Sequence, residues 1–119
     1  MKVLIVDDNE QARRMIKHYL REFSDEFREC EDGADALETY AEFLPDWVLM
    51  DWEMKRFNGL AATQNIISRF PDAKIIIVTN YDETDLRDEA RKAGACGYML
   101  KDNLIDLSLF FQKKRFLEI

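Results

Sequence analysis

The side chains that could do chemistry in this chain each stand directly after a short apolar run. Three are acids, one is a hydroxyl and one is an amine, and together they have the parts that phosphoryl transfer to an aspartate requires. Several carboxylates in one small site repel each other and need a compensating cation. The five residues are Asp7, Asp8, Asp51, Thr79 and Lys101.

A hard divalent cation would compensate best for three acids. Mg²⁺ prefers one or two carboxylates together with waters and phosphate oxygens, so we expect Mg²⁺ as the cofactor. Lys101 would neutralise charge on the transferring oxygens, and Thr79 would then hydrogen-bond to a phosphoryl oxygen. The expected chemistry is therefore attack by an aspartate on a phosphoryl group.

Strand-like and helix-like segments alternate along the chain. Apolar spacing predicts helices between the strands, the last of them from residue 103 to about 114. This alternation implies a parallel sheet with helices on both faces, and ligands bind at the carboxyl ends of such strands. The reactive residues should therefore converge at one sheet edge. The predicted strands span residues 3–6, 27–30, 47–50, 75–78 and 97–100.

The composition is that of one globular domain, predicted to span residues 1–119. Of the residues 47% are apolar and 34% charged, and no linker is evident. The net charge of -7 argues against stand-alone nucleic-acid binding. No apolar stretch approaches the roughly 18 residues of a membrane span, and the N-terminal run is too short for a signal peptide. We expect no membrane partner and a cytoplasmic location.

Five short segments follow one another in a specific order and at specific spacings. They are Val-Asp-Asp-Asn-Glu at 6–10, Leu-Met-Asp at 49–51, Asn-Gly at 58–59, Val-Thr at 78–79 and Gly-Tyr-Met-Leu-Lys-Asp at 97–102. Together they resemble the receiver domain of response regulators in two-component signalling, over essentially the whole chain. The resemblance implies a doubly wound, flavodoxin-like α/β fold, with a five-stranded parallel sheet in strand order 2-1-3-4-5.

The resemblance also implies a role for each matching residue. Asp51 would be the phosphoacceptor, and Thr79 and Lys101 would contact the phosphoryl group. Thr79 would act with an aromatic switch residue, Tyr98. The implied metal ligands are Asp7, Asp8, Asp51 and the backbone carbonyl of Glu53.

By the same resemblance the protein would be a phosphorylation-dependent switch. It would take its phosphoryl group from a sensor histidine kinase or a phosphotransfer protein and change partner binding through the Thr79/Tyr98 face and the last helix. It would not be an enzyme beyond catalysing its own phosphorylation and dephosphorylation. The implied strand order places Cys30 and Cys96 at opposite sheet edges, beyond disulfide reach.

The sequence departs from the family pattern beside the expected site. Lys55 follows Met54 where the family usually has proline, which relaxes a fixed φ in this loop. We hypothesise that the charge of Glu53 disfavours phosphate donors or attacking water, with Lys55 partly offsetting it. Asn80 replaces a commonly small residue and should narrow access to the acceptor. Asp102 is typical of the subclass that often carries a helix-turn-helix output domain.

The last helix has apolar residues on more than one side, and one sheet face cannot cover them all. Exposed apolar area of this kind indicates a partner surface, so we predict a homodimer or effector contact through this helix. The residues concerned are Leu104, Ile105, Leu107, Leu109, Phe110 and Phe111, extended by Phe116, Leu117 and Ile119.

Three other functions remain open. A receiver-like module could bind proteins without being phosphorylated. A flavodoxin-like cofactor binder is disfavoured because the acids at 7, 8 and 10 would repel a phosphate group. An aspartyl-phosphate phosphohydrolase would want a second carboxylate two residues past the nucleophile, where Glu53 stands, but it leaves Asp7 and Asp8 unexplained.

Overall fold

Strands and helices alternate throughout the protein, as the sequence predicts. The structure, a computed structural model, describes residues 1–54 and 57–117, with side chains as far as residue 114. The strands are β1 Lys2–Val6, β2 Glu26–Cys30, β3 Trp47–Asp51, β4 Ile75–Thr79 and β5 Gly97–Leu100. The helices are α1 Glu10–Leu20, α2 Ala36–Phe43, α3 Gly59–Arg69, α4 Thr84–Ala93 and α5 Ile105–Leu117.

The five strands form one parallel sheet in the order β2-β1-β3-β4-β5, which confirms the predicted topology. Strands β3 and β4 are buried along their whole length because helices cover both sheet faces. In the register, Asp51 pairs with Val78 and Thr79 pairs with Leu100. The strand ends therefore lie side by side, and the residues after them share one edge.

Alternate residues of the strands lie on opposite faces of the sheet and form two separate core layers. One layer joins Leu4, Met50 and Ile77 to side chains of α2 and α3. The other joins residues of the opposite pleat, such as Ile5 and Leu49, to α1 and α5. Full burial of one such aliphatic side chain contributes roughly 1.5–3 kcal/mol, so these layers hold the sheet edge in place.

Two helices begin next to that edge with asparagine caps. The Asn9 side chain accepts a hydrogen bond from the Ala12 amide, and Asn58 caps α3 through the Ala61 amide. Gly59 opens α3 so close to β3 that a Cβ there would lie 2.0 Å from the Asp51 carbonyl oxygen. Glycine is therefore required where α3 begins.

The start of the last helix differs from the prediction. Residues Lys101–Asn103 form a short 3₁₀ turn, and α5 itself begins at Ile105. This tighter turn follows Lys101 directly at the end of β5.

Both cysteines are free thiols. Cys30 is buried at the end of β2, and Cys96 is exposed before β5 at the opposite sheet edge, which agrees with the predicted separation. Among the described residues, no helix combines the length and the apolar character needed to cross a bilayer.

Candidate functional site

The loop after β1 holds Asp7 by its backbone and its carboxylate. The Asp7 amide donates to the Cys30 carbonyl at 3.0 Å, and one Asp7 carboxylate oxygen accepts from the Asn9 amide at 2.9 Å. The buried guanidinium of Arg13 donates to the Asp7 carbonyl at 2.7 Å and to Glu29 at 3.0 Å. Asp7 is thus fixed from both sides at the carboxyl end of β1.

Three carboxylates meet at this edge. Asp7, Asp8 and Asp51 each offer an oxygen within 4.8 Å of the other two, and Asp7 and Asp51 are buried while Asp8 is exposed. Burial and the nearby charge of Asp7 raise the pKa of Asp51 to about 6, although Lys101 opposes the shift. Oδ2 of Asp7 is buried, and the Lys101 ammonium lies 3.0 Å from it. An all-oxygen acidic cluster of this kind suits Mg²⁺.

Lys101 lies between two of these acids. Its Nζ is 3.0 Å from Oδ2 of Asp7 and 3.1 Å from Oδ1 of Asp51. Burial alone would lower the pKa of Lys101, but the hydrogen bond and charge of Asp7 and the charge of Asp51 outweigh it and raise this pKa. Lys101 is therefore cationic at neutral pH, and within residues 1–54 and 57–117 it is the lysine that faces these three acids.

Thr79 completes the set at the end of β4. It is buried, and its hydroxyl accepts a hydrogen bond from the Tyr81 amide at 3.3 Å. A cleft of about 680 Å³ opens in front of Asp8, Asp51, Thr79 and Lys101. The structure thus brings together all five of the side chains that the sequence singled out, and a small charged group could enter from solvent.

Tyr81 is a site residue that the sequence reasoning missed. Its hydroxyl is hydrogen-bonded to the Glu53 carboxylate, and this bond raises the pKa of the Tyr81 phenol. Its carbonyl accepts from the Tyr98 hydroxyl at 2.5 Å, and the Arg87 guanidinium lies 4.7 Å from the Tyr98 ring. Tyr81 therefore connects the cleft mouth to Tyr98. The only signal in the sequence was an aromatic residue two positions after Thr79.

Two predicted features of the site stay predictions. The metal role of the Glu53 carbonyl is not tested by any contact in the structure. Lys55, whose charge was expected to offset that of Glu53, lies outside the described residues, as does Arg56.

Comparison with known proteins identifies the family. The family described as the response regulator receiver domain has a sequence model that matches residues 3–108 of this chain. The chain belongs to the response regulator receiver family. Receiver domains are switches of two-component signalling, are not classical enzymes, bind Mg²⁺ at an acidic pocket and pair with histidine kinases. The resemblance predicted from the sequence is confirmed.

The relatives of this receiver include transcriptional regulators and a chemotaxis protein. It is 34% identical over 105 residues to the transcriptional regulatory protein DegU of Brevibacillus brevis, covering 86% of this chain and 44% of that protein. It is 38% identical over 100 residues to the chemotaxis protein CheY of Halobacterium salinarum, covering 84% and 83%. The chain spans about half the length of the first curated relatives it matches.

Solved receivers have the same fold. The chemotaxis protein CheY4 of Vibrio cholerae superposes with a TM-score of 0.84 at 26% identity, over 94% of this chain and 96% of that one. A LuxR-family response regulator of Aurantimonas gives 0.83 at 28% identity, over 94% and 82%. The predicted flavodoxin-like receiver fold is confirmed.

Proposed function

We propose that this receiver is a phosphorylation-dependent switch in which Asp51 accepts a phosphoryl group. The donor is the phosphohistidine of a sensor histidine kinase or of a phosphotransfer protein. The observation that carries the proposal is the position of Asp51. It is a buried carboxylate within 4.8 Å of two further acids, 3.1 Å from an ammonium group, and beside a cleft that solvent can enter.

The residues present fit a resident Mg²⁺ ion. Asp7, Asp8 and Asp51 would hold it, together with the Glu53 carbonyl, and the ion would supply charge neutralisation for the phosphoryl oxygens. An Asp51 oxygen forms the new bond to phosphorus while the bond from phosphorus to the histidine nitrogen breaks, and the electron pair stays on that nitrogen. Lys101 stabilises the negative charge of the group in transfer.

The signal would leave the site through the loop after β4. The Thr79 hydroxyl now accepts from the Tyr81 amide, and after transfer it would donate to a phosphoryl oxygen instead. Because the Tyr81 carbonyl holds the Tyr98 hydroxyl, a shift of this loop would release or reposition Tyr98. Partner binding at the face formed by Tyr98 and α5 would then depend on phosphorylation.

Glu53 would set the lifetime of the phosphoryl group. Its carboxylate is hydrogen-bonded to the Tyr81 hydroxyl, and both residues line the cleft in front of Asp51, so the pair would hinder an attacking water. We expect Glu53→Ala to lose the group faster than the wild type, measured as the decay of isolated phosphoprotein. Equal decay rates would remove this part of the proposal.

The deciding experiment is mass spectrometry after treatment with acetyl phosphate and Mg²⁺. The expected result is one phosphoryl adduct in the wild type and none in Asp51→Asn. Asp102→Asn serves as a control, since its exposed acid lies outside the cluster, and it should be phosphorylated normally. No adduct with acetyl phosphate or with a histidine kinase would instead favour a protein-binding module that is not phosphorylated.

The wider role is proposed from the same reasoning. We propose one receiver domain over residues 1–119, in the cytoplasm, with a histidine kinase upstream and an effector or a second copy contacted through α5. Because several relatives are transcriptional regulators, the output could be a DNA-binding domain. The receiver itself, at net charge -7, is not proposed to touch nucleic acid.

A further inference from the structure

Two neighbouring arginines of α1 lie in opposite environments. Arg14 is on the solvent side, with 71% of its side chain exposed, and it pairs with Glu10 one turn earlier at 3.1 Å. Arg13 is only 8% exposed. Burying a guanidinium costs free energy unless its donors are engaged and its charge is paired. Arg13 can therefore be buried only because of the groups around it.

Acids of β2 and of the residue just after it neutralise the Arg13 guanidinium. Its Nε lies 3.0 Å from a carboxylate oxygen of Glu29, and its Nη2 lies 3.7 Å from the Glu31 carboxylate. The other carboxylate oxygen of Glu29 accepts from Lys17 at 3.1 Å, so Glu29 is itself held between two cations. These contacts fix the guanidinium from the β2 side.

The remaining contact of the guanidinium reaches the metal loop. Nη1 of Arg13 donates to the Asp7 carbonyl at 2.7 Å, in a buried hydrogen bond. That carbonyl belongs to the peptide unit that joins Asp7 to Asp8, and a peptide unit is planar and turns as one piece. Asp7 and Asp8 both belong to the acidic cluster with Asp51. Arg13 therefore holds the backbone that carries two acids of the cluster.

The charge and the geometry of Arg13 should affect Mg²⁺ binding in opposite directions. As a cation beside an acidic cluster, Arg13 repels a second cation, so charge alone predicts tighter Mg²⁺ binding without it. Mg²⁺ demands a nearly ideal octahedral arrangement of its ligands, so a loosened peptide unit predicts weaker binding. Groups that orient metal ligands change metal affinity by about 10–100-fold when they are replaced. We therefore expect the geometric effect to be the larger.

We propose that Arg13 is a positioning residue for the Mg²⁺ site. Its guanidinium, anchored on Glu29, fixes the peptide unit between Asp7 and Asp8 and thereby the spacing of the acids that would bind the ion. The inference rests on the Mg²⁺ site of the proposed function and not on phosphoryl transfer. Absence of the phosphoryl adduct would remove the proposed function, while the affinity for Mg²⁺ would still decide the role of Arg13.

The first test titrates Mg²⁺ into the unphosphorylated chain by calorimetry. Arg13→Lys keeps the charge but cannot present the guanidinium fork, and Arg13→Met removes the charge as well. The expected result is a Kd for Mg²⁺ that rises in both variants, by about tenfold or more in Arg13→Met. Arg14→Met, at the exposed arginine next in the chain, is the matched control and should keep the wild-type Kd.

Two patterns of Kd would overturn the proposal. A Kd that falls in Arg13→Met and is unchanged in Arg13→Lys would show a purely electrostatic effect. A Kd unchanged in both variants, with a lower free energy of unfolding in chelator, would show a purely structural one. Far-UV circular dichroism checks that the variants are folded, and Arg13→Lys decides alone if Arg13→Met is not. A wild type that binds no Mg²⁺ would overturn this proposal together with the proposed metal site.

The second test compares Mg²⁺ with Ca²⁺ in the same titration. Ca²⁺ accepts a flexible arrangement of oxygen ligands, whereas Mg²⁺ does not. A change of charge near the cluster acts alike on the two divalent ions, but a loss of positioning should weaken Mg²⁺ more. The ratio of the Kd for Mg²⁺ to the Kd for Ca²⁺ should therefore rise several-fold in Arg13→Lys and keep its wild-type value in Arg14→Lys. An unchanged ratio in Arg13→Lys would overturn the positioning role.

Discussion

The residues at the carboxyl ends of the strands differ in kind from those at the amino ends. We call these two sets of strand ends the carboxyl edge and the amino edge of the sheet. At the carboxyl edge, two buried acids and one exposed acid face Lys101, the one lysine that the described part of the chain brings there, and the pKa of Asp51 rises to about 6. At the amino edge, the Trp47 ring meets the rings of Phe110 and Phe111 edge-on, with centroids 5.5 and 5.1 Å away. The first edge is electrostatically unbalanced, and the second is packed.

This difference separates stability from chemistry within one small domain. Aromatic rings in edge-to-face contact stabilise a core beyond the area that they bury. Like charges held close together cost free energy until a cation or phosphoryl group changes the balance. We therefore expect substitutions at the amino edge to lower stability, and substitutions at the carboxyl edge to change ligand binding more than stability.

The largest expected effect is at the amino edge. Trp47→Ala removes a buried indole that also lies 4.9 Å from Lys74 Nζ, and it should lower the free energy of unfolding by about 3–5 kcal/mol. Urea unfolding measures the change. Trp52→Ala, at the partly exposed tryptophan beside the cleft, is the matched control and should cost clearly less. Equal losses at both tryptophans would contradict the comparison.

The next effect tests the close approach of α3 to β3. Gly59→Ala places a Cβ 2.0 Å from the Asp51 carbonyl oxygen, so the backbone must move at the phosphoacceptor. We expect a loss of about 1–3 kcal/mol in unfolding free energy and weaker Mg²⁺ binding, the latter measured by calorimetry. Gly97→Ala is the control, because its Cβ would meet only the Ile76 side chain at 3.1 Å. Unchanged Mg²⁺ affinity in Gly59→Ala would count against this reasoning.

The parts of the site that sequence predicts are those attached to buried strands. The apolar runs fix where each strand ends, and a parallel sheet brings those ends together, so the convergence of Asp7, Asp51, Thr79 and Lys101 follows from pattern alone. The strand order itself came from the resemblance to the receiver family. Alternation alone is compatible with other orders of five parallel strands.

The parts that sequence could not predict depend on loops and tertiary contacts. The bond between Tyr81 and Glu53 joins two exposed residues of different loops, and no periodicity relates them. In the sequence, Arg13 resembles the other charged residues on the exposed side of a surface helix. It is buried because the Asp7 carbonyl and Glu29 lie within its reach, and only the folded chain brings them there.

A smaller effect, opposite in sign, is expected from Asp7→Asn. Without metal, this change leaves Lys101 paired with Asp51 and removes a buried like charge, so unfolding free energy should rise by about 1 kcal/mol. With Mg²⁺ at about 100 times its Kd, the unfolding free energy of the wild type should rise by about 2.7 kcal/mol, and that of the variant should rise much less. Thermal unfolding in chelator and in Mg²⁺ measures both.

Asp8→Asn is the control for that experiment. Asp8 is exposed, so its substitution should leave metal-free stability nearly unchanged while still weakening Mg²⁺ binding. A metal-free Asp7→Asn less stable than the wild type would show that the carboxyl edge is not electrostatically unbalanced.

The smallest effect concerns a balanced ion pair beside the unbalanced cluster. Burial alone would raise the pKa of Glu29, but hydrogen bonds and charge attraction from Lys17 and Arg13 outweigh it and lower this pKa. A carboxylate whose pKa is lower in the folded chain than in the unfolded chain stabilises the fold at every pH above its pKa in the unfolded chain. That stabilisation is lost as the pH falls through the pKa of the carboxylate in the folded chain. The contribution should therefore be full at pH 7 and vanish in strongly acidic solution.

Because Glu29 is partly exposed, solvent screening keeps this contribution small. Glu29→Gln should lower unfolding free energy by about 0.5 kcal/mol at neutral pH, with the difference from the wild type disappearing in acid. Glu42→Gln, at a carboxylate 4.0 Å from Arg28 and more exposed, should change less at either pH. If the Glu29 difference persisted in acid, its origin would be packing rather than charge. The ion pairs of Glu29 would then not offset the excess of negative charge at the carboxyl edge.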